Sequence, residues 1–132
     1  MAKHLDLGKA GEDAAVRALE AAGCRILERN VAIGNGEIDI VARDGRTTVL
    51  AEVKCRRPSA FGSAAESLTA GKVRRLARAA RAYVESRRLG GKPVRCDFIA
   101  VDVDPDRNTF ETQIFRDAID LDAALRDGTW QR

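Results

Sequence analysis

Gly36-Glu37-Ile38-Asp39-Ile40-Val41-Ala42, then Asp44-Gly45, then Val49-Leu50-Ala51-Glu52-Val53-Lys54 is the stretch around which the chain is organised. Two short apolar runs rich in β-branched residues flank an Asp-Gly pair, a strong signal for an antiparallel hairpin. With Asp44 and Gly45 as the two loop residues, Asp39 stands opposite Leu50 and Glu37 opposite Glu52. Side chains alternate faces with period two, so Asp39, Glu52 and Lys54 fall on one side of the ribbon. A four-residue loop keeps that parity; an odd loop without a bulge breaks it. Asp39 is then a diagonal neighbour of Glu52, roughly 7–8 Å away between backbones, within reach of a shared ion. Lys54 lies about 7 Å further along the strand from Glu52.

Acidic residues are poor strand formers, and packing does not need them among Ile, Val, Leu and Ala. Two carboxylates converging in a low-dielectric setting repel unless a cation or proton intervenes. Oxygen ligands suit a hard ion such as Mg²⁺ or Mn²⁺. Such an ion polarises a phosphoryl oxygen and acidifies water, and a neighbouring ammonium orients that water and offsets charge growing on phosphorus. Phosphodiester cleavage is the chemistry these groups fit best. The plainer alternative is a solvated strand face, on which Glu52 and Lys54 would alternate for solubility alone.

Asp39, a spacer of twelve residues and then Glu52-Val53-Lys54 resembles the signature of the PD-(D/E)xK nuclease superfamily. The chain more closely resembles the small bacterial YraN-like proteins, relatives of archaeal-type Holliday-junction resolvases. The matching pieces are Gly11-Glu12, Arg29-Asn30, Gly36-Glu37-Ile38-Asp39, Glu52-Val53-Lys54, Phe61-Gly62, Lys72 with Arg75-Leu76, and Arg95-Cys96-Asp97. They cover about residues 8 to 119 in the family's order. Ile38 stands where the superfamily's name has Pro, a departure the superfamily commonly shows. The resemblance implies a fold and a metal site more firmly than it implies a substrate.

The chain's 132 residues fit one domain, 1–132, with 1–7 and 120–132 as loose tails. A composition of 45% hydrophobic and 33% charged residues places it among globular proteins. No apolar run reaches the length of a membrane span, and the start lacks a signal peptide's hydrophobic stretch. Cys24, Cys55 and Cys96 have neither zinc-type nor redox-type spacing, as expected of reduced thiols in a cytoplasmic protein. Net charge is only +3, but residues 54–95 carry twelve Lys/Arg against two Glu. Eleven basic and eighteen acidic residues remain elsewhere, a segregation expected of a polyanion-binding surface.

In chain order, His4 is an isolated histidine without a ligand partner. Gly8 to about Ala22 reads as a helix with Ala15, Leu19 and Ala22 on one stripe. Glu12 on or beside that stripe is either a first-turn charge favoured by the helix dipole or a group aimed at the metal. The resemblance favours the metal. Cys24–Arg29 is a first strand and Val31–Gly36 a flexible loop; Glu37 reads as a strand-edge charge rather than an outer ligand. Arg56 and Arg57 beyond Lys54 could clamp phosphate, and Ser59–Ser67 is a loop or short helix. The clearest helix runs from about Thr69 to Arg88, its core stripe being Val73, Leu76, Ala77, Ala80, Tyr83 and Val84. Arg74, Arg75, Arg78 and Arg81 occupy the other side, as a phosphate backbone requires, and Lys72 flanks the stripe within reach of the site. Val94–Val103, nearly all apolar, is a central strand reached by a right-handed parallel crossover. Asp97 interrupts it and should pair with Arg95 rather than catalyse. Asp104–Asn108 is a turn, Thr109–Phe115 an edge strand, and Asp117–Arg132 a short helix with a tail.

The expected fold is α/β, a restriction-endonuclease-like αβββαβ core with an added strand and a mixed sheet flanked by helices. The expected site holds Mg²⁺ or Mn²⁺ through Asp39, Glu52 and the Val53 carbonyl, with Glu12 as a further candidate. Lys54 would position or activate the water. Lys72, Arg56, Arg57 and the helix arginines would bind nucleic acid, DNA ahead of RNA. The resemblance implies products with a 5′-phosphate and 3′-hydroxyl, branched or single-stranded DNA as substrate, and a homodimer. The rival reading is a nucleic-acid-binding module that keeps the fold without the activity; a subunit dependent on a partner is a third.

Overall fold

A computed structural model describes residues 7–57, 62 and 64–121. Helix α1 (Leu7–Ala21) leads into three strands, β1 (Arg25–Ile33), β2 (Gly36–Asp44) and β3 (Thr47–Arg56). A single 3₁₀ turn (Ala64–Ser67) precedes helix α2 (Ala70–Ser86), and β4 (Val94–Asp104) and β5 (Thr109–Ile119) complete the order. The strands form one five-stranded sheet in sequence order. Only β3 and β4 run parallel, joined through α2; the other neighbours are antiparallel. This is the expected αβββαβ core with one added strand.

Each face of the sheet buries one helix. Ala14, Ala15 and Leu19 of α1 pack on Ile40, Ala42, Val49, Ala51, Ile99 and Val101. Leu76, Ala79, Ala80 and Tyr83 of α2 pack on Ile38, Val41, Leu50, Cys96 and Ile119. The near-continuous apolar run of β4 follows from cover on both faces: Ile99, Val101 and Val103 meet α1, Cys96 meets α2, and Phe98 and Ala100 pack with Ala64 of the 3₁₀ turn. Thr69 caps α2, its hydroxyl accepting from the Lys72 N–H at 3.2 Å. Asp97 is fully buried and structural: Arg95 Nε lies 3.1 Å from its Oδ1, and the Asp117 N–H donates to the same oxygen at 2.9 Å.

Three local expectations are corrected. The β2–β3 loop is Gly45-Arg46, because Asp44 remains in the ladder opposite Thr47. Gly45 supplies the positive φ of 61° that the turn requires, while Arg95 and Arg116 each hold the Asp44 carboxylate at 2.7 Å. Register moves by two residues, so parity survives, but extending the Ile40–Ala51 pair by one residue puts Asp39 opposite Glu52 rather than Leu50. Second, Val31–Ile33 is not a loop: β1 continues through it, paired with Gly36–Ile38, and only Gly34-Asn35 turns. Val31 and Ile33 have apolar side chains to bury beneath α2. Third, the last strand reaches Ile119, which is buried against the α2 layer, so residues 117–119 are strand and not helix. Residues 1–6, including His4, and 122–132 lie outside the described residues, as do Pro58 and Phe61.

Candidate active site

Alternation along β3 distributes its side chains between the layers. Ala51, Val53 and Cys55 pack with α1, and Leu50 with α2. Glu52 and Lys54 share the parity of Leu50, as the sequence pattern requires. The β2–β3 ladder ends at Ile40–Ala51. Beyond it the Val53 N–H donates to Asp39 Oδ2 at 2.7 Å, so a carboxylate takes the place of a strand carbonyl.

Asp39 therefore stands where two strands part, with a hollow on each face. The α2-side hollow, about 400 Å³, is lined by Glu37, Asp39, Glu52, Lys72 and Arg75. The α1-side hollow, about 510 Å³, is lined by Lys9, Glu12, Arg29, Asn30, Asp39 and Lys54. The structure thus brings Asp39, Glu52 and Lys72 together. Glu12 lines the adjoining hollow that shares Asp39. Lys54 lines it too, although its strand parity is that of Glu52, so the three hairpin groups expected on one side do not all line one hollow.

The electrostatics follow from burial of like charges. Desolvation pushes the Asp39 carboxyl up to about 6, against the Val53 N–H bond that favours its ionised form; Glu37 and Glu12 add to the rise. Desolvation, then the Asp39 charge, pushes Glu52 up to about 7, while Lys72 and Arg75 draw it back. The Lys72 ammonium is lowered by its own burial and then by Lys54, and Glu52 opposes this. Lys54, Glu52 and Lys72 are therefore one electrostatic neighbourhood. Two carboxyls that both resist ionisation beside ammonium groups form an oxygen-donor set that a hard dication would relieve.

Among the described residues, no three His, Cys, Asp or Glu side chains are grouped closely enough to hold an ion. Asp39 and Glu52 accordingly fit as the two carboxylates of a site whose remaining ligands are a backbone carbonyl, water or phosphate. That is the usual manner of Mg²⁺, which keeps several waters. Glu12 is not a third member of one tight carboxylate group; its Oε1 accepts from Arg29 Nε at 2.7 Å and from Asn30 Nδ2 at 3.0 Å.

The basic residues surround this site unequally. Arg75 lines the α2-side hollow itself, whereas Arg74 is exposed outside it and Arg78 is half-buried. Arg81 holds Glu85 at 2.9 Å and lines a different groove near Leu89 and Leu121. Arg56 is half-buried at the end of β3, and Arg57 is exposed just beyond it. Sequence reasoning gave no role to Arg29 and Asn30, which meet Glu12 from β1. Their one signal was a place among the family's motif pieces.

A family model described as "Uncharacterised protein family UPF0102" matches residues 11–101, from the turn of α1 before Glu12 into β4. A UPF0102 protein of Symbiobacterium thermophilum is 48% identical over 99 residues, 75% of this chain and 82% of that protein. One of Syntrophus aciditrophicus is 39% identical over 121 residues, covering 92% and 94%. Another, of Geotalea daltonii, is 41% identical over 115 residues, covering 87% and 90%. With the matched span running across the helix, hairpin and crossover that build the site, the chain belongs to UPF0102, the YraN-like family its motifs resemble.

Proposed function

We propose that this protein is a Mg²⁺- or Mn²⁺-dependent endonuclease that hydrolyses DNA phosphodiesters. One observation carries the reading: Asp39 and Glu52, two half-buried carboxyls raised to about 6 and 7, share a hollow with Lys72 and Arg75 of a basic helix. Asp39, Glu52 and the Val53 carbonyl would hold the ion. When bound, the ion would polarise a phosphoryl oxygen and acidify a water. Lys54 orients the attacking water and offsets charge on phosphorus, and Lys72 with Arg75 receives the scissile phosphate. Arg56, Arg57, Arg74 and Arg78 follow the flanking backbone, with Arg81 further along the helix beside Glu85. Such a surface reads phosphate spacing and shape rather than base identity. Branched or single-stranded DNA as preferred substrate, and 5′-phosphate products, rest on kinship with resolvases.

A binding module without activity is the second reading, favoured by the lack of a tight three-carboxylate group among the described residues. Plasmid, single-stranded and four-way-junction DNA incubated with Mn²⁺ separate the two. Cutting by the wild type that disappears in Asp39→Asn and Lys54→Ala supports the enzyme. Binding without cutting by all three proteins supports the module.

A further inference from the structure

Strand β1 changes face abruptly beside the site. Glu28 reaches Tyr83 on α2, and Val31 and Ile33 also pack on that side. Arg29 and Asn30 both turn to α1, where each meets Glu12. Two consecutive residues cannot share a face in a regular strand. The break lies at Asn30, whose φ of 54° is the left-handed conformation that asparagine tolerates better than other side chains. Asn30 falls between the pairs Arg29–Ile40 and Val31–Ile38, hence opposite Asp39. On β2, Val41 and Ile38 likewise face α2 although three residues apart. The kink thus runs across both strands at the residue on which the site turns.

Resting on the metal-dependent reading of that site, we infer that Arg29 and Asn30 are positioning residues that fix Glu12 beside Asp39. Both donate to a single oxygen, Oε1, and so orient a carboxylate that would act on the ion's bound water rather than as a third direct ligand. Arg29 is anchored in turn by Asp13 at 2.7 Å, so the guanidinium cannot swing away without abandoning two carboxylates. Glu12 is only 12% exposed, and without these donors its charge would stand half-desolvated beside another carboxyl. Outer partners of this kind set ligand orientation, and their loss typically weakens metal affinity about 10–100-fold. The left-handed residue serves the same end by turning two neighbouring donors to one face.

Mn²⁺ titration calorimetry on the full chain tests this, with thermal unfolding confirming that each variant folds. Asn30→Gly keeps the backbone conformation and removes only the amide; Arg29→Met removes the charged donor. Each should weaken Mn²⁺ binding about tenfold. In a Glu12→Ala background, Asn30→Gly should cause no further loss, because its effect passes through Glu12. Unchanged affinity in Asn30→Gly, or an equal loss with and without Glu12, overturns the inference. So does a Glu12→Ala variant that binds as the wild type does. Asp39→Asn is the separate control: if it also binds like the wild type, the metal reading of the hollow fails instead.

Discussion

Glu52 sits where its charge is unwelcome, and that position has a thermodynamic signature. Its folded value of about 7 exceeds the ordinary 4.5, so between those pH values the folded chain keeps a proton that the unfolded chain has lost. Stability therefore declines as pH rises through that window. Removing the carboxylate relieves the penalty. At pH 8 without metal, Glu52→Gln should gain about 1–2 kcal/mol, discounted for the solvent that still reaches the half-buried group, and much less at pH 5. Urea unfolding at both pH values checks this; a loss at pH 8 would contradict it. Asp97 is the opposite case, a buried acid that is fully partnered by Arg95 and the Asp117 N–H. Asp97→Ala leaves a guanidinium only 16% exposed with one partner fewer and should cost about 3 kcal/mol in the same measurement. A change below 1 kcal/mol would show the pair to be incidental.

The elements converge on the site through close approaches. A Cβ on Gly11 of α1 would stand 2.2 Å from the Cys55 Cβ of β3, so Gly11→Ala must push the helix off the strand. Overpacking of this sort costs about 1–3 kcal/mol, and here it also displaces Glu12; thermal unfolding alongside Mn²⁺ affinity would read both effects. On the proposed DNA-binding face of α2 the charges should act additively. Each of Arg74 and Arg78 replaced by Ala should lower the slope of log affinity against log salt by about 1 on duplex DNA, and an unchanged slope would remove that residue from the interface. The hairpin arms and α2 were legible in the sequence because β-branched runs and a helical stripe are local signals. Loop register was not, since Asp44 is kept in its strand by Arg95 and Arg116, far along the chain. The kink at Asn30 was hidden as well: an asparagine inside a strand looks like the start of a loop, and the left-handed φ of 54° that lets β1 continue past it leaves no local signal. Asp39 and Glu52 were legible as a pair because two-residue periodicity survives a register shift of two, and Lys72 was legible from its place beside the α2 core stripe. Lys54, expected with them by the same periodicity, lines the other hollow.

Across the whole molecule, each face of the sheet presents a different part of one site. The α1 face brings Glu12 and its two donors, the α2 face brings Glu52, Lys72 and Arg75, and Asp39 stands in the parting between them. Most of the positive charge lies in residues 54–95, which start at Lys54 and pass through α2. On the proposed function, a polyanion drawn to that region would arrive at the carboxylate pair. The direct test is an anomalous difference map from crystals soaked in Mn²⁺. The account predicts a peak within about 2.5 Å of carboxylate oxygens of both Asp39 and Glu52, with the Val53 carbonyl beside it. No peak between those two side chains at millimolar Mn²⁺, or one held by other residues alone, would contradict it.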